Sequence, residues 1–138
     1  MSSNTKPIGV AYEDQNIVGA DLMYSGGELG YTTDAQGAVT QASSKSTPVT
    51  VNKSAGQITM NGAVLNAQTN VTFTLNNSTI SVKDVVVLSV AAGATAGSYN
   101  CWVSGKGTGT CSITVRNITP STNLSEAIVI NFAVIHCL

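Results

Sequence analysis

From about residue 37 onward, apolar residues alternate with small hydroxyl or amide residues, and this period of two limits the fold more than any other feature. In the clearest example, Val71, Phe73 and Leu75 alternate with Thr72 and Thr74. Successive side chains on a strand point to opposite faces, so such a segment places one face in a core. Because β-branched residues dominate and no amphipathic helix pattern occurs, the sequence predicts an all-β fold.

Short strand-like segments recur at intervals of roughly ten residues, separated by Gly, Asn, Ser and Pro, which is typical of an antiparallel β-sandwich or jelly roll. The segment DVVVLSV (84–90) is apolar on both faces. This pattern predicts a strand in the middle of a sandwich or inside an oligomer. The segment 126–135 is apolar at nearly every position, which predicts a final long strand.

Several N-x-S/T sequences occur, including those at Asn77 and Asn117. We interpret them as strand and turn chemistry rather than as glycan acceptors.

The best hairpin pattern consists of SYNCWVS and TCSITVRNI on either side of GKG. If Lys106 forms the tip, Cys101 and Cys111 lie directly opposite each other on one face, where a cross-strand disulfide could form. A cytoplasmic product usually keeps its thiols reduced, and free cysteines pack well in a core. The sequence therefore favours packing and leaves the disulfide as the alternative.

Residues 1–36 differ from the β-domain predicted at 37–138. They contain five of the seven acidic residues, several glycines and no sustained alternation. We expect an extended arm that becomes ordered on a partner, the alternative being ordinary first strands of the sandwich. Its docking candidates are isolated apolar or aromatic side chains: Ile8, Val10, Tyr12, Ile17 and Leu22.

The charge content argues against two classes of partner. Only 9% of residues are charged, and the formal net charge is −1. Without a basic run there is no electrostatic attraction to nucleic acid or to an anionic membrane, so we expect neither as a partner. No apolar run approaches the roughly twenty residues that cross a bilayer, and the N-terminus lacks the pattern of a secretion signal. We expect synthesis in the cytoplasm.

Candidate catalytic and metal-binding residues are sparse. His136 and Cys137 are adjacent, so on a strand they point to opposite faces and make a poor metal site. A nucleophilic group would need His136 beside a Ser or Cys and an acid, whereas Asp84 and Glu126 are isolated in the sequence. No P-loop, dinucleotide or zinc-protease motif occurs. We expect no enzyme activity, metal or cofactor, and a glycosidase-like carboxylate pair stays open as an alternative.

Three phrases carry a family resemblance: VTQASSKST at 39–47, GQITMN at 56–61 and LSEAIVINFAVI at 124–135. Together they resemble small structural proteins of tailed bacteriophages, namely capsid decoration (cement) proteins and related tail-fibre domains. The resemblance extends from about Gly30 to Ile135 and implies a β-sandwich-like domain, a non-enzymatic role in the virion and homotrimers on the shell. Cys101, Cys111 and the Cys137–Leu138 ending are not part of the family pattern.

Decoration of the capsid surface is the favoured expectation, because the chain has no fibrous repeat or coiled-coil shaft. The partner would then be the major capsid protein of the same virion. The segments 84–90 and 126–135 carry more apolar surface than one thin sandwich can cover, which predicts a trimer interface. Its candidate residues are Val85, Val87, Ile128 and Ile130.

The alternative is a trimeric tail-fibre or head-fibre domain that binds a host receptor or glycan. Tyr99, Trp102 or the 104–108 loop would then lie at an exposed tip, since aromatic rings can stack on sugars. Aromatic residues in strands more often belong to a core, which favours packing for both side chains.

Overall fold

The computed structural model describes residues 26–137. Over this range the chain is all-β, as predicted, and a short 3₁₀ helix (Thr33–Ala35) precedes the first strand. The strands are β1 (Gln36–Thr40), β2 (Val49–Thr50), β3 (Ala55–Thr59), β4 (Asn70–Asn76), β5 (Val85–Ala92), β6 (Tyr99–Gly107), β7 (Thr110–Asn117) and β8 (Val129–Ile135).

The strands form two four-stranded sheets. Sheet A has the order β1-β3-β8-β5, and sheet B has the order β2-β4-β7-β6. The pairs β1/β3 and β2/β4 are parallel, whereas the other neighbours are antiparallel. The prediction of a wholly antiparallel arrangement is therefore wrong. Between β1 and β3 the chain crosses to the other sheet, and such a crossover returns the next strand in the same direction.

Both sheets contribute their inward side chains to one hydrophobic core. In β4, the alternation buries Phe73 and Leu75 while Thr72 and Thr74 lie on the opposite face, as the sequence predicts. The central strand β8 buries every second residue in the same way. The side chains that are completely buried include Ile58, Leu75, Ile113, Val115, Ile128, Ile130 and Val134.

The strand from the apolar segment 84–90 does not lie in the middle of the sandwich, which was one of its two expected places; the other, inside an oligomer, stays a prediction. β5 is an edge strand of sheet A, and its only partner in that sheet is β8. Val86 points into the core, while its neighbours Val85 and Val87 remain about half exposed. The apolar residues on the outer side of β5 are thus not covered by the described part of the chain.

The β6–β7 hairpin is present, but its turn is at Thr108 and Gly109 rather than at Lys106. Gly109 has φ +73°, a conformation that favours glycine. The GKG sequence belongs to β6, where an irregularity between Val103 and Gly105 shifts the register. The Asn77 N–H donates to the Gly109 carbonyl, and the Gly109 N–H donates to the Ile80 carbonyl. These two bonds tie the turn to the loop that follows β4.

This register separates Cys101 from Cys111. Cys101 lies opposite Val115, whereas Cys111 lies opposite Lys106. Val115 lies four positions after Cys111 in β7, which is about 13 Å along a strand. A disulfide needs Cα atoms within about 7 Å, so the predicted cross-strand pair is wrong. Both cysteines are free, and burial raises the pKa of each thiol.

Two buried asparagines hold the loops that leave β4 and β7. The Asn77 Oδ1 atom accepts hydrogen bonds from the backbone N–H and hydroxyl of Thr79, and Asn117 makes the same pair of bonds with Thr119. Their side-chain amides donate to backbone carbonyls of other loops. At these two sites, the interpretation of N-x-T as turn chemistry is confirmed.

A third anchor lies in the 41–47 loop. Lys45 is only 3% exposed, and its Nζ donates to the carbonyls of Asn61 and Glu126, both at 2.6 Å. The buried Gln41 amide donates to the carbonyls of Lys45 and Thr47 within the loop. Burial lowers the pKa of Lys45, and the nearby Glu126 carboxylate partly opposes that shift.

Close packing of β1 on β3 generates a prediction at Gly56. A Cβ atom there would lie 2.1 Å from the backbone oxygen of Gly37. Gly56→Ala must therefore separate the two strands, and we expect it to lower the free energy of unfolding by about 3 kcal/mol. Urea denaturation measures this change.

Gly30→Ala is the matched control, because a Cβ atom at Gly30 would meet nothing within 4 Å. We expect this control to change the free energy of unfolding by no more than about 0.5 kcal/mol. Equal stability of the two variants would contradict the tight β1–β3 contact.

Candidate functional site

The outer face of sheet A carries an exposed apolar strip, defined by Val85, Val87 and Ile135. Their side chains are 48%, 50% and 54% exposed, respectively. Val85 lies directly opposite Ile135 on the neighbouring strand, and Val87 lies opposite Ala133. The strip is therefore continuous across β5 and β8. Ile135 was not among the interface candidates; its place in the alternation of β8 is the signal that would have included it.

Two of the predicted interface residues do not belong to this strip. Ile128 and Ile130 are completely buried in the core of the same chain. β8 lies between β3 and β5, and its inward residues pack under both sheets. The prediction that Ile128 and Ile130 form an interface between copies is wrong for this reason.

The outward residues of the four strands of sheet A carry no formal charge. They alternate with buried residues and are small, apolar, hydroxyl or amide side chains. Exposed Lys53 and Lys83 lie two residues before β3 and β5, so only these flanking positions would bring like charges together when a second copy covers the face. Around the apolar strip, the outward residues of β1, β3, β5 and β8 are Gln36, Ala38, Thr40, Ala55, Gln57, Thr59, Ser89, Val129, Asn131 and Ala133.

The outer face of sheet B is different, since it presents a row of hydroxyls beside an indole ring. The Thr114 hydroxyl donates to Ser104 Oγ at 2.8 Å and lies 2.7 Å from Thr72 Oγ1. Trp102 lies directly opposite Thr114 on the edge strand β6 and is 37% exposed. Its ring is thus on the flat side of the sheet and not at a tip.

The other aromatic candidate does not lie with Trp102. Tyr99 packs against the core, and burial together with the nearby Glu126 carboxylate raises the pKa of Tyr99 to about 12. Residues 104–107 continue β6 and form no loop. The predicted tip of Tyr99, Trp102 and a 104–108 loop is therefore not assembled.

A buried carboxylate lies where β5 begins and β8 ends. Asp84 is 2% exposed. Its Oδ2 atom accepts the Ser81 backbone N–H at 2.8 Å, and Oδ1 accepts the Cys137 N–H at 3.0 Å. These two bonds, with a smaller contribution from His136, hold the pKa of Asp84 well below its usual range. Lys106 Nζ also donates to the Asp84 carbonyl.

His136 connects this carboxylate to a serine. Its Nδ1 atom lies 3.0 Å from Asp84 Oδ2, and its Nε2 atom lies 3.3 Å from the Oγ of Ser54. The backbone N–H of Val134 donates to the Ser54 carbonyl at 2.7 Å, which ties the start of β3 to the end of β8. The structure thus brings together a serine, a histidine and an acid that are isolated in the sequence.

A cleft of about 450 Å³ lies next to His136. It is lined by Leu29, Gly30, Tyr31, Ile135 and His136, so its walls are mainly apolar. The Tyr31 hydroxyl donates to the Val134 carbonyl and holds the segment before β1 across the end of β8. The cleft is therefore built by part of the predicted arm together with the last strand.

Three expectations from the sequence concern a metal site, a membrane-spanning helix and the docking residues of the arm. Within 26–137, no cluster of three or more His, Cys, Asp or Glu side chains could hold a metal ion. No helix in that range is long and apolar enough to cross a membrane. The predicted docking residues Ile8, Val10, Tyr12, Ile17 and Leu22 lie outside the described residues.

Comparisons with models of protein families, with curated proteins and with solved structures find no match to this chain. The class that the structure itself defines is an all-β protein of two mixed sheets around one core. Its distinctive surfaces are the apolar strip, the hydroxyl row beside Trp102 and the Ser54–His136–Asp84 group.

The hydrogen bonds of Asp84 predict a dependence of stability on pH. Because the folded-state pKa lies below the unfolded value of 3.8, the folded protein binds fewer protons there. The contribution of Asp84 to stability is present above about pH 4 and is lost as the pH falls below it. In urea unfolding, we expect Asp84→Asn to destabilise the protein clearly at about pH 7 and much less at about pH 2, because the contribution is lost only as the pH approaches the low folded-state pKa.

Asp34→Asn serves as the control, because Asp34 is exposed on the 3₁₀ helix. We expect this variant to follow the wild-type protein at both pH values. A loss of stability in Asp84→Asn that is the same at both pH values would show that the ionised carboxylate is not the stabilising form.

Proposed function

We propose that this protein is a structural virion component, a capsid decoration protein that binds the assembled head of a tailed phage as a homotrimer. The observation that carries the proposal is the exposed strip of Val85, Val87 and Ile135 on a sheet face without formal charge. The resemblance of residues 30–135 to phage decoration proteins supplies the biological setting. The major capsid protein of the same virion is the proposed partner, and the capsid surface is the proposed location.

The edge position of β5 also supports association between copies. β5 contains neither proline nor a charged residue, two of the devices that prevent an edge strand from pairing with another chain, and its one irregularity lies near its end, between Val90 and Ala92. Half-exposed valines on such a strand gain about 25 cal/mol for each Å² of apolar surface that a second copy covers. A face-to-face contact of three strips would bury these side chains without removing a charge from water.

The proposed fold beyond the two mixed sheets is a jelly-roll-like sandwich with an N-terminal arm. Successive strands from β1 to β6 alternate between the sheets, which supports a sandwich in which the chain repeatedly crosses the core. The contact of Tyr31 with the Val134 carbonyl supports an arm that leaves the domain near the end of β8. This arm, residues 1–36, would dock on neighbouring capsid subunits.

The mechanism requires no turnover. A protein that binds the assembled shell and not its separate subunits stabilises the shell by mass action, by RT ln(1 + [L]/Kd) for each occupied site. A trimer carries three arms on one body, so every contact after the first is intramolecular. Weak contacts of the individual arms would then add up to a high overall affinity of the trimer for the shell.

A test of this proposal replaces Val87 with Lys. A charge at the centre of the strip would have to be buried without a partner, so we expect the trimer constant to weaken by at least about 100-fold. In sedimentation equilibrium at micromolar concentration, the wild-type chain should be a trimer and Val87→Lys a monomer. The variant should also fail to co-sediment with expanded phage heads at concentrations at which the wild-type chain saturates them.

Val64→Lys is the matched control, since Val64 is 62% exposed but lies in the loop before β4. This variant should remain trimeric and bind heads normally. A wild-type monomer at micromolar concentration would contradict the trimer. A cryo-electron microscopy map of the particle that places the protein on the tail would contradict decoration of the capsid.

A second candidate function, glycan binding by a fibre domain, is favoured by one observation. Trp102 is partly exposed beside the exposed hydroxyls of Ser104 and Thr72, both of which hydrogen-bond to the buried Thr114 hydroxyl. An aromatic face next to a row of hydroxyls offers both stacking and hydrogen bonds to a sugar ring. The ligand surface would then be the flat side of sheet B near its edge strand.

If the protein binds a host glycan, Trp102→Ala should lower the affinity for that glycan by at least about tenfold, because the substitution removes the stacking surface. Trp102→Phe keeps an aromatic face and should retain most of the affinity. A glycan array followed by calorimetry with the best ligand measures both. The absence of specific glycan binding by the wild-type trimer would exclude this function and agrees with decoration.

A further inference from the structure

The arrangement of Ser54, His136 and Asp84 has the connectivity of a hydrolytic relay. His136 lies between the two oxygen groups, with Nδ1 3.0 Å from Asp84 Oδ2 and Nε2 3.3 Å from Ser54 Oγ. A serine, an imidazole and a carboxylate in this order form a nucleophile, a general base and an orienting acid on several unrelated folds. We propose that Ser54 is an activated nucleophile that accepts acyl groups from small esters.

The hydrogen bonds of Asp84 determine which nitrogen of His136 can act as the base. With its low pKa, the Asp84 carboxylate is ionised at neutral pH and can only accept hydrogen bonds. His136 must therefore carry a proton on Nδ1 and donate it to Oδ2. In the neutral ring, this leaves Nε2 as an acceptor for the Ser54 hydroxyl proton, which is the tautomer that general-base catalysis requires.

Backbone contacts hold each member of the relay in place. The Cys137 N–H binds Asp84 Oδ1 directly after His136, and the Val134 N–H binds the Ser54 carbonyl two residues before it. His136 is therefore fixed between β3 and β5 by the end of β8. The Ser54–His136 distance is long for a hydrogen bond, as is common for a nucleophile and its base without substrate.

His136 is the member of the relay that lines the neighbouring cleft, and this cleft indicates the class of substrate. Its walls include Leu29, Tyr31 and Ile135, which present apolar surface and no formal charge. A volume of about 450 Å³ is within the usual range for small-molecule sites. The acyl part of an uncharged ester therefore fits this cleft better than an anionic substrate does.

The proposed reaction balances without an external cofactor. Ser54 Oγ attacks the carbonyl carbon of the ester, and its proton passes to His136 Nε2. The bond between that carbon and the leaving alcohol oxygen then breaks, and the His136 proton passes to the departing oxygen. Water attacks the acyl-Ser54 ester with His136 again accepting a proton, which releases the carboxylic acid and restores the serine.

Active-site labelling tests the proposal directly on the full-length protein. A fluorophosphonate probe reacts when a serine oxygen displaces fluoride from phosphorus and a base takes the serine proton. We expect one adduct per native chain, located at Ser54 by peptide mass spectrometry. Ser54→Ala should give no adduct, and His136→Gln should react at least about 100-fold more slowly, which is the typical contribution of a general base.

Ser46→Ala is the matched control, because Ser46 lies in an exposed loop and should not affect labelling. Urea midpoints confirm that each variant is folded. An unlabelled native protein, an adduct on a different serine or an unchanged rate in His136→Gln would overturn the proposal. The first two results need no variant, so the test holds even if a substitution impairs folding.

Ester turnover distinguishes the relay from an isolated imidazole. With p-nitrophenyl acetate, a relay gives an initial burst of p-nitrophenolate equal to one acyl-enzyme per chain, and Ser54→Ala abolishes it. A lone His136 would attack the ester directly, so Ser54→Ala would hydrolyse it as fast as the wild-type protein. That result would also overturn the proposal.

Discussion

Buried polar side chains that hydrogen-bond loop backbones are the interaction on which the two sheets depend. Because most strands alternate between the sheets, each connection crosses one end of the core and leaves backbone groups that no ladder satisfies. Asn77, Asn117 and Lys45 lie at three such crossings and donate to loop carbonyls. The core can therefore remain apolar while these loop carbonyls are hydrogen-bonded.

The same constraint involves two of the few charged residues of the chain. Two of the rare charged residues, Lys45 and Asp84, are almost completely buried and serve as structural anchors. Neither contributes much to the surface.

The period of two predicted which segments become strands, because burial alone sets that pattern. β4 and β8 follow it residue by residue. Alternation carries no information on the partner or direction of a strand, so the parallel pairs β1/β3 and β2/β4 could not be predicted from it. The position of β5 at an edge was missed for the same reason. Apolar residues on both faces fit a central strand and an exposed edge equally well.

Local patterns also failed where a single irregularity shifted the register. GKG has the composition of a turn, yet the irregularity after Val103 carries β6 on to Gly107, and Gly109 makes the turn. This shift of a few residues separated the two cysteines that a turn at Lys106 would have placed opposite each other. Register errors of this kind change every cross-strand pair, whereas the strand assignment itself survives.

The relay shows the limit of sequence motifs most clearly. Ser54 and His136 are 82 residues apart, and Asp84 is 52 residues from His136. No local spacing links them, since their proximity arises only because β8 lies between β3 and β5. The same central strand carries Ile135, which faces outward into the apolar strip. Association through the strip and chemistry at the relay would therefore share this strand and also Ile135, which belongs to the strip and lines the cleft beside His136. Val87 lies in the strip alone and Ser54 in the relay alone, so replacing one of these two residues tests one surface without changing the other.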